Sequence, residues 1–407
     1  MTNLSIKKVL LNKSKKFFNF PLLPDGFSKQ DISQAIKVVK SKQLTMSKMT
    51  KKFENYFAKK IGAKYALMVN SGSSANLLSL FCVTNPLKNN YLKRGDECLV
   101  PALCWSTSLW PVIQSGLKPV LIDVNRENFC IDLETIKRNI NKKTKAIVIV
   151  NVLGNCSEID KIKKFANKKK IFLIEDNCES LGSIYKKKYL GTYGDFSSFS
   201  FYFSHQVTSG EGGMIVCKSK KDYNILKALR AHGWDRDFNK KNIKNFNFIN
   251  QGFNLRPLEI SAAIGLNQFK RLNKMKKIRA INNINIIKIM KNSKQWEDQF
   301  KFFNVSKNLD PSWFGLPLII NLKNFKNKKK YFEYLSKNKI EVRPIISGNF
   351  ANQPAVKLFN IKYDKKNLKN AQYIEDNGFF IGLPTIKLNM NKIKILTNFL
   401  LNINKFK

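Results

Sequence analysis

The sequence predicts an α/β fold: a mainly parallel sheet flanked by helices, with a smaller α+β carboxy-terminal domain from residue 258. Three observations lead there. Short apolar runs recur at regular intervals between residues 67 and 174, separated by stretches with helical patterning, and that alternation marks a parallel sheet covered on both faces. Beyond residue 258 the alternation stops. The 407 residues, 43% of them apolar, suffice to bury a large core and a second, smaller one.

Residues 28–60 read as two helices. Leu67-Met68-Val69 is a short apolar strand running into Asn70-Ser71-Gly72-Ser73-Ser74-Ala75-Asn76, a loop that caps a helix. Further strands are expected at Cys98–Val100, Pro119–Ile122, Ala146–Val150 and Ile171–Ile174, with helices at Leu133–Ile140 and Ile159–Ala166. Residues 200–217 return to strand patterning around a glycine-rich turn. A long helical stretch then runs through Leu266, Phe269 and Leu272. The last part carries strand candidates Phe314–Ile320 and Ile340–Ile345 with helices between them. The expected division is a large domain over 1–257 and a small one over 258–407.

No apolar run approaches the ~18 residues that span a bilayer. Met1 to Phe18 has lysines but no continuous apolar segment after them, so no signal peptide is expected and a cytoplasmic protein is the default. The formal net charge of +45 raises a nucleic-acid reading. Against it, the lysines are spread along the chain, no basic block alternates with aromatics, and no zinc-finger or RNA-recognition spacing occurs. Lysines on solvated faces account for the charge, which would also draw in an anionic substrate. Nine of the 73 basic residues are arginine, and Arg230, Arg236, Arg256 and Arg343 fall inside the motifs below, where a bidentate donor does work that lysine does less well. Seven cysteines without a CxxC pair read as free thiols of a reducing compartment, and no metal site is expected.

Four segments carry candidate chemistry. Ser71–Ser74 joins a strand to a helix, where N–H groups and hydroxyls suit a phosphate, although the same tetrad also makes an ordinary helix cap. Glu175-Asp176-Asn177-Cys178-Glu179 follows an apolar strand, so its carboxylates face the usual ligand crevice or form a plain strand-end turn. Trp105 would stack on a ring or sit in the core. His205 and His232 are the only two histidines.

Asn70–Asn76, Trp105–Thr107, Glu175–Ser180, Ser200–Gly213, Arg230–Trp234, Gly252–Glu259, Pro311–Gly315 and Arg343–Phe350 come in one order along nearly the whole chain. In that order they resemble the sugar aminotransferases and dehydratases of fold type I that use pyridoxal phosphate (PLP), the DegT/DnrJ/EryC1/StrS type. The resemblance implies an aspartate aminotransferase-like fold. It implies that Asp176 pairs with the pyridinium nitrogen, that Gly72, Ser73 and Ser200 hold the phosphate, that Trp105 stacks on the ring and that Glu179 lies at the ring's polar edge. Asn254 would reach the phosphate of the neighbouring subunit's cofactor in a homodimer. His232, Arg236, Arg256 and Arg343 are candidates for substrate binding. In that family the position of His205 holds the lysine that forms a Schiff base with the cofactor. An imidazole cannot make that bond, but with an ordinary pKa of about 6.5 it can move protons.

That exchange, within the resemblance, implies deoxygenation rather than transamination. The expected enzyme is a lyase-type 3-dehydratase of a nucleotide-linked 4-keto-6-deoxyhexose, a GDP-linked mannose derivative favoured, in deoxysugar and O-antigen (lipopolysaccharide) biosynthesis. Its cofactor would be pyridoxamine phosphate, alternating with PLP, and L-glutamate the amino donor. Two departures from the pattern stand out: Gln206 where the dehydratases carry a second histidine, and Ser47 in place of a glycine. A sister enzyme acting on a CDP sugar holds an iron–sulfur cluster; here only Cys178 matches its four cysteines and the region of Asp235-Arg236-Asp237-Phe238 has none, so no cluster is expected. The competing readings are that CDP-sugar dehydrase, an aminotransferase with a substitute lysine (Lys218 and Lys220 lie beyond the turn), and a basic nucleic-acid-binding protein on an inactive enzyme fold.

Overall fold

The computed structural model describes residues 19–23, 26–236, 246–323 and 325–406. The first 18 residues, read above as lacking a signal peptide, and Asp237 and Phe238 lie outside them. The amino-terminal pair of helices is α1 (Lys29–Lys40) and α2 (Lys48–Ile61). Ser28 and Asp31 start α1 with a reciprocal capping box, each side chain accepting from the other's backbone N–H. The alternating part follows: β1 (Tyr65–Val69), α3 (Gly72–Val83), β2 (Glu97–Pro101), α4 (Ser106–Gln114), β3 (Lys118–Ile122), α5 (Leu133–Asn139), β4 (Thr144–Val150), α6 (Ile159–Lys169) and β5 (Phe172–Asp176). Two short strands, β6 (Ile184–Tyr185) and β7 (Lys188–Tyr189), lead to β8 (Phe196–Ser200), β9 (Gly213–Cys217) and α7 (Lys220–Arg230).

The seven-stranded sheet runs β1-β9-β8-β5-β4-β2-β3. Pairs β2–β3, β2–β4, β4–β5 and β5–β8 are parallel, while β9 is antiparallel to both neighbours. β1 therefore points the same way as β8, and β9 alone is reversed. Its connection fits the reversal: residues 201–212, between β8 and β9, hold turns and bends and no crossover helix. β2 is buried along its full length and β5 at all but its first residue, which explains their uninterrupted apolar runs. Gly213 lets β9 pass close to the loop after β1; a Cβ there would lie 2.2 Å from the Ser71 carbonyl oxygen.

Beyond residue 258 come α8 (Glu259–Lys270) and α9 (Leu272–Lys291), so the expected single helix is two, joined at Arg271. α8 packs on α2, with Phe57 and Phe269 stacked at 4.7 Å. The rest is β10 (Phe300–Phe302), β11 (Leu309–Asp310), β12 (Gly315–Ile320), α10 (Lys328–Lys337), β13 (Val342–Arg343), α11 (Pro354–Leu358), α12 (Lys369–Asn377), β14 (Gly378–Gly382) and α13 (Met390–Leu401). Here β10-β12-β14-β13 form an antiparallel sheet with its own core around Phe379, Tyr331 and Leu400. The strand expected over Ile340–Ile345 shrinks to two residues, because Pro344 has no N–H to offer the ladder. Among the described residues no helix is long and apolar enough to cross a membrane.

Candidate active site

The carboxyl ends of β1, β2, β4, β5 and β8 open on one side of the large sheet, and a cavity of about 700 Å³ lies there. In a sheet with one reversed strand this edge is where loops and helix starts converge, the usual place for a ligand. Eight of the predicted site residues line it: Gly72, Ser73, Trp105, Asp176, Glu179, Ser200, His205 and Arg343.

One wall is a cradle of small donors. Ser71 caps α3, its hydroxyl accepting from the Ser74 N–H at 3.1 Å. The first-turn N–H groups have no helical carbonyl to bond, and the Ser73 hydroxyl sits 3.1 Å from that of Thr107. A Cβ on Gly72 would lie 2.5 Å from the Ser200 Cβ, so only glycine leaves this space open. Asp176 ends β5 at the cavity floor, buried. Its Oδ2 accepts from Asn76 Nδ2 and Ser108 Oγ, each at 2.8 Å, and its Oδ1 from the Cys178 N–H at 3.1 Å. Asn76 is held in turn by the Ser198 hydroxyl. Trp105 is 56% exposed at the start of α4 and lines the cavity, so it is no core tryptophan.

Glu179 accepts from the Leu153 N–H at 3.0 Å. Burial raises its pKa to about 7; the Leu153 N–H opposes this and the Asp176 charge adds to it. His205 stands on the turn between β8 and β9, its N–H donating to the Tyr202 carbonyl at 3.0 Å. Its ring meets Phe314 edge-on at 5.0 Å and Tyr202 at 5.8 Å. Nδ1 is buried and has no hydrogen-bond partner among the described residues. Burial, and then the charge of Arg279, lower the imidazole to about 3. This lies below the ordinary value expected from the sequence, and the ring is neutral near neutral pH.

No lysine lines this cavity among the described residues. Lys218 donates to the Tyr193 carbonyl at 2.6 Å, and Lys220 lies over the rings of Tyr65 and Tyr223. Cys178 is the only cysteine lining it among those residues. The remaining predicted residues lie apart. His232, Arg236 and Arg256 line a second cavity of about 120 Å³ with Thr45, Met46 and Trp234. Asn254 is beside it, accepting from Arg256 Nε at 3.1 Å. Within one chain the two groups are not brought together.

The first cavity fits a pyridine ring bearing a phosphate: a glycine-opened cradle of donors, a buried carboxylate held by three hydrogen bonds, and an exposed indole. The sequence reading missed Asn76, Ser108 and Phe314 as site residues. Asn76 and Ser108 stand within or beside motifs it had singled out, but only the fold shows that both meet Asp176.

The model of the DegT/DnrJ/EryC1/StrS aminotransferase family matches residues 27–392. The chain is 38% identical over 389 residues to GDP-4-keto-6-deoxy-D-mannose 3-dehydratase of Escherichia coli O55:H7, covering 91% of this chain and 96% of that one. Its fold is similar to an E. coli GDP-4-keto-6-deoxy-D-mannose 3-dehydratase solved with bound hydrated PLP, at a TM-score of 0.87 and 35% identity over 94% of this chain and 100% of that one. It is also similar to a GDP-4-keto-6-deoxymannose 3-dehydratase solved with a trapped PLP–glutamate geminal diamine, at a TM-score of 0.85 and 35% identity, again over 94% and 100%.

Proposed function

Since the chain belongs to the DegT/DnrJ/EryC1/StrS aminotransferase family, we propose that it is a PLP- and pyridoxamine phosphate-dependent 3-dehydratase of a nucleotide-linked 4-keto-6-deoxyhexose, with GDP-4-keto-6-deoxymannose as the substrate. The observation that carries this reading is the wall of the main cavity: a neutral histidine at the turn after β8, and no lysine lining the space among the described residues.

Bound there, pyridoxamine phosphate supplies a primary amine for the sugar's 4-keto carbon and a ring that accepts electrons. The chain's own residues do the rest. The α3 start, Gly72, Ser73 and Ser200 would hold the phosphate. Asp176, kept in place by Asn76 and Ser108, would hold the pyridine nitrogen protonated. Trp105 would cover the ring face, and Glu179 would meet its polar edge. His205 has Nδ1 turned into the protein, so it works through Nε2. Once the cofactor is bound, that nitrogen would accept a proton as the neutral ring and, as an imidazolium, would return one to the 3-hydroxyl so that it leaves as water. L-Glutamate restores the amine between turnovers, a role supported by the glutamate adduct trapped in the similar dehydratase.

The working unit in this proposal is a homodimer. Asn254 and the arginines at the second cavity lie apart from the site of their own chain, as residues that serve a neighbour's site would. The test is incubation with pyridoxamine phosphate, glutamate and a panel of nucleotide 4-keto-6-deoxy sugars. Mass spectrometry should find the 3-hydroxyl lost from the GDP sugar. Transfer of an amino group to the sugar, or loss only from a CDP sugar, would overturn the assignment.

A further inference from the structure

We propose that Gln206 and Arg279 are positioning residues for His205, acting by fixing the segment Ser312–Phe314 that forms the wall behind its ring. The inference deepens the proposed function and rests on it, since it takes His205 as the group that moves the proton.

Three consecutive residues of that segment are engaged, one by one. Gln206 is 3% exposed, and its Nε2 donates to the Ser312 carbonyl at 3.2 Å and to the Glu179 carbonyl at 2.5 Å. Arg279, on α9, is 1% exposed; its Nη1 donates to the Trp313 carbonyl at 3.2 Å and its Nε to the Leu383 carbonyl at 3.0 Å. Phe314 then meets the His205 ring edge-on. A single amide thus joins the His205 turn to the turn after β5 that bears Glu179 and to the approach to β12. The guanidinium joins that approach to the end of β14.

The choice of side chains argues for more than packing. Gln206 offers two N–H donors at every pH, whereas a titratable side chain would loosen with pH. Arg279 has no carboxylate partner among the described residues, and its Nη2 is buried without a hydrogen-bond partner, as are Gln206 Oε1 and His205 Nδ1. Burying a lone cation is costly, and a neutral donor would serve to hold two carbonyls. The cation has a use if its field keeps a neighbouring imidazole unprotonated, and Arg279 is the charge that acts on His205 in that sense. The other ionisable groups around the ring's cavity are Asp176, Cys178, Glu179, Glu211 and Arg343, with Tyr202 on its own turn.

The test separates charge from anchoring. Arg279→Gln keeps N–H donors and removes the charge; Arg279→Lys keeps the charge with fewer donors. In the cofactor-free protein, the His205 ring signal, assigned by its loss in His205→Asn, is followed by NMR from pH 8 down to about 2. In the parent and in Arg279→Lys it should titrate at one and the same midpoint, about 3. In Arg279→Gln its midpoint should rise by at least about one pH unit, and the acid limb of the dehydration pH profile should rise with it. Gln206→Met should lower kcat about tenfold or more, with cofactor affinity unchanged. An unmoved midpoint in Arg279→Gln, or near-normal kcat in Gln206→Met, overturns the proposal. If Arg279→Gln does not fold, Gln206→Met decides alone. If the parent dehydrates no nucleotide sugar, the functional reading falls, and the NMR titration still decides the role of Arg279.

Discussion

A neutral imidazole and a raised carboxyl lining one cavity make the residue scale the place where chemistry is set. His205→Asn should still bind the cofactor, because phosphate and ring contacts come from other residues. Dehydration should fall about 10²–10⁴-fold, the usual loss on removing a positioned base. Near-normal turnover by this variant would sink the central reading. His205→Lys restores a primary amine, and the cofactor should then be trapped on residue 205 by borohydride, which the parent should not show. Glu179 gives a prediction about pH. Its folded pKa, about 7, lies above its ordinary carboxylate value. Its contribution to stability is therefore fully present below that ordinary value and is lost as pH rises through 7. Glu179→Gln cannot ionise, so the cofactor-free variant should gain in Tm relative to the parent at pH 8 and not at pH 4. Equal differences at both pH values would refute the shift.

At the scale of elements, α2 shows how a local rule is met from far away. Ser47 precedes α2 but makes no side-chain cap. The buried Glu259, at the start of α8, supplies it instead. Its carboxylate accepts from the N–H groups of Ser47, Met49 and Thr50 at 2.6–2.8 Å and from the Thr50 hydroxyl at 2.6 Å. Glu259→Ala strips four hydrogen bonds from buried and half-buried donors and should destabilise by roughly 1–3 kcal/mol, read as a lower midpoint in urea. An unchanged midpoint would show that the helix start is held otherwise. No pattern in the sequence announces a cap 209 residues away. The central strands were legible because burial on both faces leaves continuous apolar runs such as Ile147–Val150. The direction of β9 was not, since apolar alternation carries no sign. The site follows the same line: Asp176 and His205 could be read from their motifs, while Asn76, Ser108 and the Phe314 wall depend on elements that meet only in three dimensions.

For the whole molecule, the two separated groups of predicted site residues set a test of assembly. If Asn254 completes a neighbour's site, His205→Asn and Asn254→Ala chains, each weak alone, should complement when refolded together. A mixed dimer then holds one site with both wild-type residues, and random pairing should recover about a quarter of the parent activity. No recovery in confirmed mixed dimers would place both residues in one chain's site. The position of His205 has a longer consequence. It stands on the turn between β8 and β9, and no sheet ladder runs through it. A change of residue there leaves the strands, the phosphate cradle and the Asp176 network as they were. Ancestry can thus conserve the scaffold while a single site on it explores new reactions, so descent from a common parent says less about which bond is broken than the identity of one side chain does.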